Sequence, residues 1–457
     1  MTLKSKPANG TLDHLMYHGR IYLPILVIVL GLILTFVNFN FDKPTLVGEE
    51  TYYHLAKADN NGRGFYFLLQ QIQQLISDKW LVVIPLLMSS LIIFLGYTLC
   101  EKYNTSQRIS FFFFLFIIIS PAFLLNSISI SAYSLFLLLT VLAFVLLNSQ
   151  KRFWKMVSLF PFLLAAGVDL ASGILLLALL LIHIYSQKPE TRKMSWGIFI
   201  ITVLAIMAQV IFLTLPKIIG PFHLQSVFPD LISDLGGVSG VSFFILLLAL
   251  IGIAIAWKQK QFKRTYLLLF IVIPVYILNT SFILPLAILA SFFAMIAFLA
   301  LLERTWTLEI LKKFTILILL LGILFSAMTF GARIVQKTPL NTDQNVLSWI
   351  KLNLPSSGKV FSTPENGYYI NYFAGKEAIT HHHQNNPVSM NLTNSIFKAG
   401  YITDLFPLLE NNNITVIYLT PKMREQLPSD QGLLFLLKNE RFKMVYSYDK
   451  TEVWIFT

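Results

Sequence analysis

Cysteine and charge are both scarce in this chain. A single cysteine, Cys100, among 457 residues excludes an intramolecular disulfide, so no oxidised framework holds any exposed part together. Cys100 itself reads as a small apolar filler at a helix end. Charged residues make up 13% of the chain against 56% hydrophobic, with a mean hydropathy of +0.68, which excludes an ordinary soluble globular protein. Composition therefore points to a polytopic membrane protein. The net charge of +12 would suit nucleic acid if the basic residues clustered. They lie instead in short loops between apolar runs, where they orient a membrane protein, and nucleic-acid binding is excluded on that ground. Lys4, Lys6 and Arg20 precede a long apolar run with no small-residue cleavage site, so the first run is expected to be a retained signal anchor.

Runs long enough to cross roughly 30 Å of hydrocarbon, about 17 to 25 residues each, occupy residues 21–38, 80–99, 109–125, 128–147, 196–215, 238–257, 283–302 and 314–334. Residues 157–185 are apolar except at "AAGVDLASG", where Gly167, Asp169 and Gly173 suggest two short helices, and 265–281 forms one further short span. The expectation is about 11 spans with the termini on opposite faces. Eighteen Lys and Arg then fall on one side, and five on the other: Lys43, Lys57, Arg63, Lys79 and Lys217. That asymmetry places the N-terminus in the cytoplasm. Residues 1–20 are the cytoplasmic start, 21–335 the transmembrane domain with a first external loop at 39–79, and 336–457 an exoplasmic domain. Eight of the thirteen acids before that last domain also fall outside.

From Lys337 onward the long apolar runs stop. "KVFS" and "ITVIYLT" read as short buried strands, "FKMVYSYDKTEVWIFT" as a hairpin, and "NVLSWIKLNL", "GYYINYFA" and "YITDLFPLLENN" as helices, which together predict a small α/β domain. The run His381–His383 is not read as a metal site, because consecutive side chains in a strand or loop do not converge on one ion. In "STPENGYYI", Pro364 and Glu365 suit a helix's first turn, and the segment could help to close a site at the membrane surface.

The densest polar cluster outside the spans is "LVGEETYYHLAKA", Leu46 to Ala58. Glu49 and Glu50 stand at the start of a helix, where its dipole favours acids. Glu50, Tyr53, His54 and Lys57 follow the i, i+3, i+4, i+7 spacing and share one face. A carboxylate placed so can take a proton from an attacking hydroxyl, or hold a divalent cation that neutralises a leaving phosphate. Adjacent like charges favour a base of moderate strength. Asp169 reads either as a functional acid near membrane depth or as a helix cap. Lys57, Arg63, Lys217 and Arg333 are the external cations able to meet a lipid phosphate, Arg333 bidentately.

A cytoplasmic start, one helix, a long acidic external loop, many further spans and a terminal external α/β domain together resemble the GT-C glycosyltransferases, as "VFPDLISDLGG" and "PENGYYINYFAG" also do. These membrane enzymes use lipid-phosphate-linked sugars and include oligosaccharyltransferases, protein mannosyltransferases and aminoarabinose transferases. The resemblance implies a GT-C-like polytopic α-helical membrane protein with a C-terminal exoplasmic α/β domain, located in the plasma (cytoplasmic) membrane. It implies transfer of a sugar from a polyprenyl-phosphate-linked donor to a protein, lipid or glycan acceptor, a possible divalent metal at Glu49 and Glu50, and an acid of the first external loop as base. The resemblance assigns catalysis to Glu49 and Glu50, with His54 and Asp169 as further candidates. Tyr53, Lys57, Arg63, Lys217 and Arg333 are the candidates for binding substrate or lipid phosphate. The loop "NSISISAYS" carries no acid and the tail has no WWDYG-type motif, so a monosaccharide transferase fits better than a metal-dependent oligosaccharyltransferase. A transporter or lipid flippase is the alternative, but it should carry ionisable or broken segments at mid-membrane in related halves. A polysaccharide polymerase or ligase would place its large external loop between late spans.

Overall fold

The computed structural model describes residues 11–60, 65–76, 80–168, 170–187, 189–212, 231–237, 239–257, 259, 262–278, 280–355, 357–381, 387–429 and 431–456. The chain forms two compact units: Met1–Val37 with Ser77–Val335, and Asn38–Ile76 with Gln336–Thr457.

The first unit is built from apolar helices. Five helices are long and apolar enough to cross a membrane: Gly19–Asn40, Val83–Lys102, Arg192–Ile211, Ile283–Glu303 and the one that begins at Glu309. Ala132–Leu147, Leu170–Ser186 and Phe243–Trp257 are shorter apolar helices. In such a helix every backbone group is bonded within its own segment, the condition a span must meet in hydrocarbon. The run read as one span over 109–125 is bent instead, with Gln107–Ile119 and Pro121–Ile128 meeting at 67°. Pro121 pushes the residue before it out of the helical region, and Ser120 is accordingly extended at φ −63°, ψ 129°. The expected break in 157–185 is present, between Leu159–Ala166 and Leu170–Ser186; Asp169 itself lies outside the described residues.

Small residues set the tightest helix contact. A Cβ at Gly252, in Phe243–Trp257, would lie 1.9 Å from the Phe293 carbonyl oxygen of Ile283–Glu303. Ala249, Ala256, Ala290, Ala294 and Ala297 are all buried in the same core. Close backbone approach of this kind is how apolar helices associate where lipid removes the hydrophobic drive between them.

The second unit carries a four-stranded sheet of order β1-β2-β4-β3, with β1 Lys359–Phe361, β2 Ile414–Leu419, β3 Phe442–Tyr448 and β4 Thr451–Phe456. β1 and β2 are parallel; β2 and β3 each pair antiparallel with β4. The hairpin turns at Asp449 and Lys450, both at positive φ (47° and 64°), the sense that matches strand twist in a two-residue loop. Helix Asn341–Asn353 is pinned to this sheet by Asp343, whose Oδ1 accepts from the Tyr418 hydroxyl at 3.2 Å and the Thr451 hydroxyl at 3.1 Å. Trp349 of the same helix stacks on Tyr446.

The first loop is part of this unit. Asn341 donates from its backbone N to the Asp42 carbonyl and from Nδ2 to the Asp42 carboxylate, both at 2.9 Å. Lys43 reaches the Thr338 carbonyl at 2.5 Å. Two stretches almost 300 residues apart in sequence are thereby tied together.

Gly252→Leu should overpack the helix contact and cost about 1–3 kcal/mol or more. A lowered melting temperature of the purified protein in detergent, against little change for an exposed control such as Leu250→Ala, checks this; Leu250 is 62% exposed.

Candidate functional site

Gly48 fixes where the acidic helix begins. Its φ of 89° suits glycine alone among common residues, and its carbonyl accepts the Thr51 N–H at 3.1 Å. Helix Glu49–Asn60 therefore carries both carboxylates in its first turn, where the helix dipole favours negative charge. The Thr51 hydroxyl donates to the Val47 carbonyl at 2.7 Å and the Tyr52 hydroxyl to the Leu46 carbonyl at 3.1 Å, locking the preceding loop to the helix. Thr51, Leu55 and Ala58 are buried and hold the helix's inner side in place.

Around this turn the second unit gathers aromatic rings. The segment Pro364–Ala374 starts as a 3-10 turn with Pro364 at its first position, continues through Gly367–Tyr369, and ends in a π-type turn over Ile370–Ala374. A Cβ at Gly367 would lie 2.2 Å from the Thr380 carbonyl, so glycine permits this segment's approach to its neighbour. Tyr369, Tyr372 and Phe373 surround Tyr52 with ring centroids at 4.8, 5.6 and 5.3 Å, and Tyr368 meets Tyr53 at 5.2 Å. π-type turns recur at functional sites because the extra residue re-aims the side chains.

The acids act on these phenols. Burial raises the Tyr368 hydroxyl well above the usual tyrosine range, with Tyr53, Glu49 and Glu50 adding to it. Tyr369 is raised by burial, then by Glu49. Tyr66, of helix Phe65–Leu75, is raised by burial, by Tyr53, to which it is hydrogen-bonded, and by Glu50. All three phenols hold their protons through the neutral range and stand close enough to feel the carboxylates.

The four residues expected to share a face do so. Lys57 Nζ donates to the Tyr53 hydroxyl at 3.0 Å and sits over the rings of Tyr53 (5.3 Å) and Tyr66 (4.9 Å). His54 is 6% exposed, packs against Tyr53, Phe65 and Tyr66, and neither ring nitrogen has a hydrogen-bond partner among the described residues. Burial, with Lys57 nearby, depresses it to about 4. It is therefore a neutral imidazole in the resting site, with no cationic role near neutral pH.

The remaining candidates stand elsewhere. Arg333 belongs to the first unit and its guanidinium is engaged there: Nη2 lies 3.9 Å from Asp234 and 3.2 Å from the Thr329 hydroxyl, and Nη1 donates to the Gly237 carbonyl at 3.2 Å. Asp234 also accepts the Phe243 N–H at 2.6 Å. Asp169, Arg63 and Lys217 lie outside the described residues, as do His382 and His383. His381 rests on Tyr368 at 4.6 Å and contacts the Asn371 amide at 2.7 Å. The role of Tyr66, Tyr368, Tyr369 and Tyr372 around the acids was not assigned from sequence. The signal for three of them was present in "GYYINYF", three tyrosines in five residues, whereas Tyr66 carries none.

A bundle of apolar helices joined to a small mixed sheet, with an acid-bearing helix from the loop after the first long helix, is a GT-C-like fold. Solved structures agree. The crystal structure of the Archaeoglobus fulgidus oligosaccharyltransferase in the apo form matches over 88% of this chain and 70% of that one, with a TM-score of 0.56 at 12% identity. The same protein's complex with Zn and sulfate matches over 87% and 67%, at 0.55 and 14%. The archaeal oligosaccharyltransferase AglB from A. fulgidus, in complex with an inhibitory peptide and a dolichol-phosphate, matches over 97% and 75%, at 0.52 and 13%. At these identities the likeness is one of fold. No protein-family model matches the sequence, and no curated protein does.

The depressed His54 has a consequence for stability. Below its ordinary value of 6.5 the unfolded imidazole takes up a proton that the folded one refuses until about pH 4, so folding weakens as pH falls through that window and is unaffected above it. The full effect is roughly 3 kcal/mol at its limit. Hydrogen exchange of the Glu49–Asn60 amides between pH 4 and 7, after correction for intrinsic rates, should show this loss. His54→Gln should flatten it.

Proposed function

We propose that this chain is a glycosyltransferase that moves a sugar from a polyprenyl-phosphate-linked donor to an acceptor at the exoplasmic face of the plasma membrane. The observation that carries the reading is the pair Glu49 and Glu50 in a helix's first turn, ringed by phenols from the first loop and the C-terminal segment, within a GT-C-like fold. The dolichol-phosphate in the AglB complex supports a lipid-phosphate donor. The acceptor peptide tethered to the A. fulgidus oligosaccharyltransferase in another of its structures supports an acceptor as the second substrate. The chain's spans number about 11 in this reading. Residues 1–20 are cytoplasmic, 21–335 form the transmembrane domain and 336–457 the exoplasmic one in this reading, which the distribution of Lys and Arg supports.

One carboxylate of the pair takes the proton of an acceptor hydroxyl as its oxygen attacks the anomeric carbon. The bond from that carbon to the phosphate oxygen breaks, its electron pair leaves with the polyprenyl phosphate, and the anomeric configuration inverts. The carboxylates fall to this role by chemistry: the phenols hold their protons too tightly, and His54 at about 4 is a weak base buried among rings. His54 instead offers a neutral hydrogen-bonding group beside the acids. Lys57 places an ammonium on the same helix face to meet the leaving phosphate, and Tyr53 orients it. Arg63 and Lys217 are further cations for the lipid phosphate, and Asp169 a second acid. Arg333 would serve a phosphate only by sharing its guanidinium with Asp234.

A divalent cation would find Glu49 and Glu50, but among the described residues no group of three His, Cys, Asp or Glu side chains comes together to hold one. Two carboxylates on successive positions are an incomplete donor set for a hard cation, which takes six or more oxygens.

Glu50→Gln and Glu49→Gln, each assayed in proteoliposomes with a supplied polyprenyl-phosphate sugar, should separate the base from its neighbour. The variant lacking the base should lose about 100-fold or more of transfer, read as released polyprenyl phosphate. Full activity in both variants would remove the pair from the mechanism.

A further inference from the structure

The turn that carries the phenols is closed by a histidine. Residues 377–379 extend the sheet beyond β1: Val360 N donates to the Glu377 carbonyl at 2.9 Å, and Ile379 N to the Val360 carbonyl at 3.3 Å. Thr380 follows, and its hydroxyl accepts from Thr393 of helix Pro387–Lys398 at 3.2 Å. His381 therefore stands at the end of a fixed platform. Its ring lies against Tyr368 at 4.6 Å, and its Nε2 is 2.7 Å from Asn371 Nδ2 in the π-type turn Ile370–Ala374.

The hydrogen-bond network places the proton on this imidazole. Asn371 Oδ1 accepts the Ala378 N–H at 3.0 Å, which fixes the carboxamide with its NH2 group toward His381. An amide NH2 only donates, so Nε2 accepts and the ring's single proton sits on Nδ1. Protonation at Nε2 would set two donors face to face across 2.7 Å. Turning the carboxamide over would satisfy the imidazolium, but would set the NH2 group against the Ala378 N–H. One bond is lost either way, so the two bonds exist together only with a neutral His381.

That joint holds the part of the turn that meets the acidic helix. Tyr368 reaches Tyr53 at 5.2 Å, and Tyr372, next to Asn371, reaches Tyr52 at 5.6 Å. A Cβ at Gly367 would lie 2.9 Å from His381 Cδ2, so turn and platform touch here. The titratable groups around the imidazole come from several elements. Tyr368 lies on its ring, and Tyr53, Glu49 and Glu50 of the acidic helix act on Tyr368 in turn. Glu365, ahead of Tyr368, is paired with Lys422 at 2.5 Å. Lys376 and Glu377 precede His381 on the platform, Glu377 paired with Lys359 at 2.7 Å. His382 and His383 follow it in the sequence, and the helix that packs at Thr380 presents the uncharged Thr393.

We propose that His381 is a positioning residue whose bond to Asn371 is a proton-sensitive latch on the candidate site. With the imidazole neutral, the latch holds Tyr368 and Tyr372 against helix Glu49–Asn60; with it protonated, the π-type turn is released. Activity is therefore favoured above the range in which the imidazole titrates and falls as pH drops through it. That effect on activity rests on the transfer reading, whereas the latch itself rests on the geometry of Asn371 alone.

The test uses the full chain in lipid nanodiscs. With ¹⁵N-labelled histidine, the His381 signals, identified by their absence in His381→Gln, should show the Nδ1–H tautomer at about pH 8. Amide exchange over residues 367–374, corrected for intrinsic rates, should lose about tenfold in protection between about pH 8 and about pH 5.5. Asn371→Asp replaces the donor by a carboxylate that still accepts from Ala378 and pairs with an imidazolium, so protection should be kept at the lower pH. His381→Gln presents an acceptor that does not titrate and should show equal protection at both, whatever its level. Transfer, read as released polyprenyl phosphate, should fall less on the acid side in Asn371→Asp than in the wild type, since both share the loss due to the carboxylate base. An Nε2–H tautomer at about pH 8 overturns the proposal. So does an equal loss of protection in the wild type and both variants, and an acid-side loss of transfer as large in Asn371→Asp as in the wild type overturns the positioning role. If no protein transfers sugar, the transfer reading and the positioning role fall together, while the tautomer and exchange results still decide the latch.

Discussion

The short helix Glu49–Asn60 depends on being held at its first turn, and the candidate site depends on that helix. Left alone, twelve residues with two adjacent glutamates at the start would be a marginal helix in water. Here Gly48 supplies the left-handed entry, Thr51 and Tyr52 tie the preceding residues back onto the helix, and Asp42 and Lys43 fasten the loop to residues 338–341. Tyr52, 3% exposed, also carries the aromatic packing against Tyr369, Tyr372 and Phe373. Loss of this fastening would free the carboxylates from the phenols around them. The spatial relation of acids to phenols is therefore a property of long-range contacts within the second unit, not of the loop sequence.

That division explains what could be read in advance. The apolar runs were visible because a span has to bury its own backbone polarity, and length with composition suffices to mark it. The sheet elements showed through their turn residues and alternation, as in "FKMVYSYDKTEVWIFT". The shared face of Glu50, Tyr53, His54 and Lys57 followed from helical spacing alone. The 67° bend at Ser120–Pro121 was missed because the run around it is uniformly apolar, although the proline rule contained it. Periodicity could not show that Tyr368 and Tyr369 would surround the acids, since pairing of residues some 300 positions apart is decided by tertiary packing, and Tyr66 is brought there by the packing of a separate helix, Phe65–Leu75. Nor could it show that Arg333 would be engaged by Asp234, a partner almost one hundred residues away.

The two faces of the acidic helix differ in how charge is compensated. On one side Lys57 shares the face with Glu50 and is cushioned by the rings of Tyr53 and Tyr66. Opposite charges are thus present together, and a ligand there need not bring its own compensation. On the other side Lys376 is buried and donates to the Pro355 carbonyl.

Burial also assigns protonation states around the acids. Tyr66, Tyr368 and Tyr369 gain proton affinity because a phenolate beside carboxylates in a poorly solvated site is disfavoured twice, by lost hydration and by like charge. His54 loses proton affinity because its imidazolium would be stripped of water while Lys57 stands nearby. The same desolvation thus pushes acidic and basic groups toward neutrality from opposite directions. In the proposed transfer this confines mobile protons to the carboxylates and leaves the phenols as fixed hydrogen-bond donors. A donor array that does not ionise keeps its geometry as charge shifts from acceptor to leaving phosphate, which is the condition under which preorganised dipoles stabilise a transition state.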